Sequence, residues 1–381
     1  MPRYTGDVVR PLAAALALLL VGEASSGKPG PASSTEPSPP HVAAPPPSPP
    51  PAPGTSWFVL PVVFWLPETR LGFSVAGGLQ FHLRGTKRAS SLFVVGAYTL
   101  EHQSSVDLAA DLDLPDGTVL TGRVRVVNFP DEFFGIGPNT PESARESYTR
   151  RWNQAIFGWE LPIRSERLRA GPRLDFRAED IRNVQPGGQL ASGTIEGSNG
   201  FTAVGLGGSA AWDTRDLPLY PTHGHYVEAW LLWYPEELGH HGEFTAASLE
   251  GRIFRSVGHG LILAASAYVE EAWGAVPFTL LPKLGSTGYL RGWREGRFRD
   301  HLATATQVEL RIPIWDRFAG AVFASAGEVG GDLAGLSLQT LRASAGVGLR
   351  FRLTPEGTNI RFDVADSSAG PEVYLLLLEA F

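Results

Sequence analysis

The stretch Leu290-Arg291-Gly292-Trp293-Arg294-Glu295-Gly296-Arg297-Phe298-Arg299-Asp300 packs four arginines, two acids, two glycines and two aromatics into eleven residues. A guanidinium carries five donors in a fixed fork, which suits a carboxylate partner better than a catalytic step. Glu309 and Asp363 could do acid–base work. Arg291, Arg311, Arg350 and Arg361 are read as standing near them, so structural ion pairing is the expected use of these charges. His223 and His225 flank Gly224, and His240-His241 form a second pair, which suggests a metal site. Yet the fifteen residues from His225 to His240 form one extended segment. At about 3.3 Å per residue it reaches about 50 Å, too far for one ion. Solvated turn histidines are expected, with no metal and no cofactor. The chain has no cysteine, which removes disulfides, thiolate sites and a thiol nucleophile. There is no Gly-x-Ser-x-Gly elbow, no phosphate-binding Gly-x-x-x-x-Gly-Lys-Ser/Thr and no His-Glu-x-x-His, so no enzyme is expected.

The elements that position these residues read as strands. From Trp57 to Phe381 no apolar run approaches 18 residues, which excludes helical membrane spans. Period-two alternation recurs instead. In Gly346-Val347-Gly348-Leu349-Arg350-Phe351-Arg352-Leu353, Val, Leu, Phe and Leu share one face while Gly and Arg share the other. Asn359-Ile360-Arg361-Phe362-Asp363-Val364 and Gln307-Val308-Glu309-Leu310-Arg311-Ile312 repeat the pattern. Sixteen candidate strands fit between Trp57 and Phe381. The spacing suits membrane strands of about 9–11 residues. The even-to-odd connections are mostly short, as at Pro115-Asp116-Gly117, Arg164 to Arg167, Gly258-His259-Gly260, Trp315-Asp316 and Pro355-Glu356-Gly357. The long ones are odd-to-even: Pro130 to Ser147, Gln185 to Gly200, Gly274 to Asp300 and Gly330 to Ser337. Two odd-to-even connections, near Pro67 and His102, are short. This sorting predicts an all-β, 16-stranded antiparallel transmembrane β-barrel with short turns at one end and long loops at the other.

The first residues predict export. Arg3 and Arg10 precede the apolar run Leu12 to Val21, and Gly22-Glu23-Ala24 offers small residues for a peptidase. That layout predicts a signal peptide over 1–24. Twelve prolines lie between Pro29 and Pro53, so 25–56 is expected to be a disordered linker and 57–381 the barrel. The net charge of −7 argues against a nucleic-acid surface.

The arginine-rich loop resembles the Arg-Gly-aromatic motif of the Omp85 superfamily, the bacterial surface antigen type that includes the BamA and TamA barrel domains. Asp213-Thr214-Arg215-Asp216, then Pro221 and Gly224, looks like that superfamily's mid-barrel turn. Phe129-Pro130-Asp131-Glu132-Phe133-Phe134-Gly135-Ile136-Gly137 looks like the third external loop of members without POTRA domains, and Gly346 to Ala365 with Phe381 like the last three strands. The motifs fall in family order over 57–381.

The resemblance implies a loop folded back into the lumen, with Arg291 docked on Glu309, Gly292 allowing close approach and Trp293 covering the pair. Phe323-Ala324-Ser325-Ala326-Gly327 has Ser325 where members often have Asp, so Glu309 is expected to carry more of the contact. Tyr374 and Phe381 stand where the last strand's insertion signal is expected, although Glu379 interrupts the apolar row of Val373, Leu375 and Leu377. The implied function is insertion or translocation of proteins, or lipids, at the outer membrane of a Gram-negative-type bacterium. The implied partners are outer-membrane lipid, the barrel assembly machinery during biogenesis, and an exported or inserted protein client. A passive channel or structural barrel is the alternative.

Overall fold

The computed structural model describes residues 55–66, 70–86, 88–100, 102–239, 242–285, 288–355 and 357–381. The expected signal peptide, nearly all of the linker and His240-His241 lie outside the described residues.

The strands are β1 Ser56–Leu66, β2 Arg70–Phe81, β3 Ser90–Thr99, β4 Ser104–Asp113, β5 Val119–Phe133, β6 Glu146–Ile163, β7 Ser165–Arg182, β8 Phe201–Asp213 and β9 Gly224–Tyr234. They continue as β10 Phe244–Ser256, β11 Ile262–Gly274, β12 Lys283–Leu284, β13 Phe298–Arg299, β14 Leu302–Trp315, β15 Phe318–Gly330, β16 Arg342–Arg352, β17 Asn359–Ser367 and β18 Glu372–Leu377. Sixteen of them form one antiparallel sheet in chain order, β1 to β11 and then β14 to β18, while β12 and β13 form a separate two-stranded sheet. The two ends of the sheet meet. Phe58 packs near Leu377 and Leu378, Leu60 packs against the cluster holding Tyr374 and Leu376, and Thr354 beyond β16 donates to Gln80 of β2 at 2.9 Å. The sheet therefore curls into a barrel, although β1 and β18 share no ladder among the described residues.

Alternation sorts the wall as the sequence predicts. On β16, Val347 is 57% exposed while Arg350 is 1% exposed. Val308 and Phe362 likewise point out, and Glu309, Arg311, Arg361 and Asp363 point in. Apolar outside and charged inside is the reverse of a soluble sandwich and suits a wall facing lipid. Exposed aromatics form two girdles: Trp57, Trp212 and Trp315 at the short-turn end, and Tyr98, Trp233 and Trp273 at the other end. Arg164, His259 and Asp316 adopt left-handed φ of 60°, 52° and 46°. Such residues let the chain reverse within a few positions, which keeps that rim low.

Candidate functional site

The connection from β11 to β14 first forms part of a cover over the long-loop end. Phe278 packs edge-on against Phe133 and Tyr148, with ring centroids at 5.2 and 5.6 Å. Its N–H donates to Glu196 O at 2.9 Å, and Gly137 N donates to Arg299 O at 2.8 Å. Arg294 pairs with Glu132, and Arg297 donates to Thr140 O at 2.8 Å. Glu146 accepts the Gln189 and Leu190 N–H groups at 2.6 and 3.1 Å. Three connections, β5 to β6, β7 to β8 and β11 to β14, are thereby tied together.

The connection then runs along the inner face of the wall. Tyr289 stacks on Tyr268 of β11 at 3.9 Å between centroids, and its hydroxyl donates to Glu250 of β10 at 3.3 Å. Two residues later Arg291, fully buried, docks on the adjoining stretch of wall that begins with β14, the ladder partner of β11. Arg291 Nη1 donates to Glu309 Oε2 and to Asp363 Oδ2, both at 2.8 Å, and Nη2 lies 3.4 Å from Gln307 Oε1. Glu309 also accepts from Arg311 Nε at 2.9 Å and Arg350 Nη2 at 3.1 Å. Asp363 accepts from Arg350 Nη1 at 2.5 Å, with Arg361 Nε at 3.5 Å. The β14, β16 and β17 residues come together because the sheet's curvature brings inward positions of successive strands onto one wall. Gly348, opposite Asp363 in the register, leaves room for this contact: a Cβ there would stand 2.1 Å from Asp363 Oδ1 and 2.2 Å from Arg350 Nη1.

Two expectations need correcting. The expected Arg291–Glu309 pair is present, but Glu309 does not carry a larger share of the contact, because Asp363 supplies a second carboxylate at the same distance. Ser325, which stands where family members often have Asp, lies 2.9 Å from Ser344, hydroxyl to hydroxyl. Trp293 does not cover the pair. Its ring packs on Phe298 at 5.4 Å and its Nε1 donates to Ala343 O of β16 at 3.1 Å, so it fills the space between the loop and the wall. The group over the Arg291 guanidinium is Phe323, 3.4 Å to the ring centroid, a cation–π contact that sequence inspection missed. Gly292 does approach the wall closely, with φ of 93° and an ideal Cβ 3.2 Å from Ser344 Cβ and 3.3 Å from Ala365 Cβ.

Phe381 also departs from expectation. The last strand ends at Leu377, and Leu378 takes a left-handed φ of 67°. That turn carries the chain off the wall and into the lumen. Glu379 accepts from Arg350 Nε and Asn359 Nδ2, both at 2.9 Å, and Arg311 Nη2 donates to Phe381 O at 3.0 Å. Phe381 packs with Phe254, Ala264 and Ala380. Glu379, read from sequence only as a break in an apolar row, is thus a third carboxylate of the arginine cluster. Tyr374 faces the lumen, buried, and its hydroxyl accepts the Gly292 N–H at 2.8 Å. In the turn below, burial and the Glu379 carboxylate push the Tyr220 phenol above its ordinary range, so it stays protonated against Arg311. The expected mid-barrel turn is held by its own acid, as Asp213 takes Arg215 through Nε at 3.1 Å and Nη2 at 3.0 Å.

Such a cluster can hold a chain segment in one place. Its carboxylates are all taken up by arginines of the protein itself, which leaves none of them free to act on a substrate. Buried ion pairs add little net stability over apolar packing but are costly to break singly, a property that suits fixing one loop position.

The Omp85 superfamily domain matches residues 139–369, more than half of the chain. No curated protein matches the sequence. Among solved structures, the BamA of Haemophilus ducreyi lacking POTRA domains 1-3 is similar, with 18% identity and a TM-score of 0.53, over 85% of this chain and 69% of that one. The CdiB of Escherichia coli is similar with 12% identity and a TM-score of 0.54, over 87% of this chain and 62% of that one. The CdiB of Acinetobacter baumannii gives 11% identity and a TM-score of 0.50, over 85% and 59%. This chain therefore spans less than two thirds of either CdiB.

Proposed function

Because this chain belongs to the Omp85 superfamily, we propose that it resides in the outer membrane of a Gram-negative-type bacterium and inserts or translocates proteins there. Export through the signal peptide read at 1–24, and a tether over 25–56, are part of the proposal. The observation that carries it is the seam: β1 and β18 pack by side chains yet share no ladder among the described residues. Unpaired strand edges are costly in lipid and are ready templates for an incoming strand. A loop packed inside the lumen fits poorly with a passive pore and leaves the seam as the place where a client strand can pair. The arginine cluster acts as the lock on that loop, and lipid and a protein client are the partners.

The chain has no cysteine, so one pair can be placed across the seam as Leu60→Cys/Leu375→Cys. In phospholipid vesicles the reduced protein should speed the folding of an unfolded outer-membrane barrel diluted from urea, read by its gel mobility without boiling. Oxidation should remove the acceleration. No acceleration over empty vesicles, together with a large steady single-channel current, would establish the passive channel instead.

A further inference from the structure

The Gly292 peptide is gripped on both sides by the last hairpin. Its N–H donates to Tyr374 Oη at 2.8 Å, and its carbonyl accepts from Ser367 Oγ at 2.6 Å. Tyr374 Oη donates onward to Glu372 Oε2 at 2.5 Å. Asp363 and Tyr374 face each other in the β17–β18 register. One cross-strand pair therefore takes two consecutive loop residues: Asp363 holds Arg291, and Tyr374 holds Gly292. With Ser325 turned to Ser344, the second anchoring carboxylate lies on β17 and not on β15, two strands nearer the seam.

Of the sixteen-stranded sheet, β18 is also the strand with the fewest ladder partners. It has six ladder partners on β17 and, among the described residues, none on its other edge. A hydrogen bond from the middle of β18 into a buried loop then adds a hold that the ladder does not supply. Deforming the hairpin would leave the Gly292 N–H buried without its acceptor, and undocking the loop would leave the Tyr374 hydroxyl without that donor.

We infer that Tyr374 is a positioning residue that couples loop docking to the seam: Gly292 seated on Tyr374 holds β18 beside β1, and release of the loop frees β18. The inference rests on the proposed use of the seam for its biological purpose, but the coupling itself requires no client. Coupling between two sites is reciprocal, so whatever opens one must loosen the other by the same factor.

The test uses the full chain in phospholipid vesicles, counting only molecules that migrate as folded barrels without boiling. Nitroxide labels at Leu60→Cys/Leu375→Cys report the seam distance distribution, and trypsin cleavage at Arg294 and Arg297 reports the loop. Tyr374→Phe keeps the ring and removes the hydroxyl. It should raise the open-seam population and the loop cleavage rate together, each about fivefold, the change that one net hydrogen bond typically carries. Ser367→Ala removes the grip on the carbonyl side and should move both readouts the same way, which keeps the test decisive if Tyr374→Phe folds poorly. In the reverse direction, a short cross-link joining the two thiols of Leu60→Cys/Leu375→Cys should slow loop cleavage in the otherwise native chain. Faster cleavage with an unchanged seam distribution in both variants, or a cross-link without effect on the loop, would overturn the coupling and leave Tyr374 a packing residue. Failure of the client-folding assay while both readouts still move together would overturn the proposed function and uphold the coupling.

Discussion

The tall wall around β6 and β7 and the low wall at β17, β18 and β1 are built from the same alternating pattern but held by different means. β6 and β7 are 18 residues each and pair from Thr149 with Arg182 down to Ile163 with Ser165. At about 3.3 Å per residue such strands are about 60 Å long, well beyond an apolar band of about 25 Å. β18 has six residues, about 20 Å by the same rise, and only one laddered edge among the described residues. The inward charges differ in the same sense. On the tall wall, Arg150 pairs with Glu179 of the adjacent strand through Nε at 2.8 Å and Nη2 at 2.5 Å. At the low wall the partners come from far along the chain: Arg291 in a loop, Glu379 in the tail. A long ladder secures itself, whereas the seam wall borrows its rigidity from segments packed into the lumen.

The largest effect that would test this contrast is expected from Glu309→Ala. Glu309 takes contacts from Arg291, Arg311 and Arg350, and the cluster sets four guanidinium groups, counting Arg361, against Glu309, Asp363 and Glu379. Its loss leaves four cations facing two carboxylates. Breaking one buried pair typically costs about 3–5 kcal/mol, because the remaining charge is stranded. Loop cleavage by trypsin and single-channel conductance should both rise sharply. Arg291→Ala combined with Glu309→Ala should be little worse than Glu309→Ala alone, since members of one network do not add. Strict additivity of the two would show that the loop and the wall are held independently.

Much of this was legible in the residues. A wall facing lipid outside and charge inside imposes period two, so Val347, Phe362 and Val308 announced their face, and Glu309, Arg350, Arg361 and Asp363 announced the other. Strand number followed from the repeated spacing of these runs. Distances across the lumen were not legible, because alternation gives the face of a residue and not the curvature that brings β14 to β17. Asp363 was therefore read as a lumen charge without its contact to Arg291. The inward turn of the tail had no local signal, since leucine rarely takes a left-handed φ; only Glu379 in an apolar row hinted at it. Phe323 was inward by phase, yet nothing in its neighbours foretold a ring over a guanidinium.

An intermediate effect is expected on the tall wall. Leu174 lies at the middle of β7, points outward and is 45% exposed. If the belt faces lipid, Leu174→Arg places a charge near the midplane, where the cost in barrels is about 2–4 kcal/mol. The same change on a water-facing surface is usually within about 0.5 kcal/mol. Urea titration of folding into vesicles separates these values, and a shift at the lower figure would remove the lipid-facing assignment of this wall.

The smallest effect is expected from the same change on the seam strand. Val373 also points outward, at 41% exposed, so burial alone would rank Val373→Arg with Leu174→Arg. Depth separates them. Val373 is the second residue of β18, close to the end that follows the short Ala369-Gly370 connection, and the whole strand is shorter than the apolar band. An arginine there can extend to the interface, where the cost falls to about 0–1 kcal/mol. The two variants therefore compare walls and not side chains, with the same new residue and nearly the same starting exposure. Equal losses in the vesicle titration would mean that β18 lies as deep as β7, and the low wall would then be an ordinary part of the barrel. A loss confined to Leu174→Arg would leave the seam as a stretch of wall that lipid grips weakly, where a small displacement of β18 meets little resistance from the membrane.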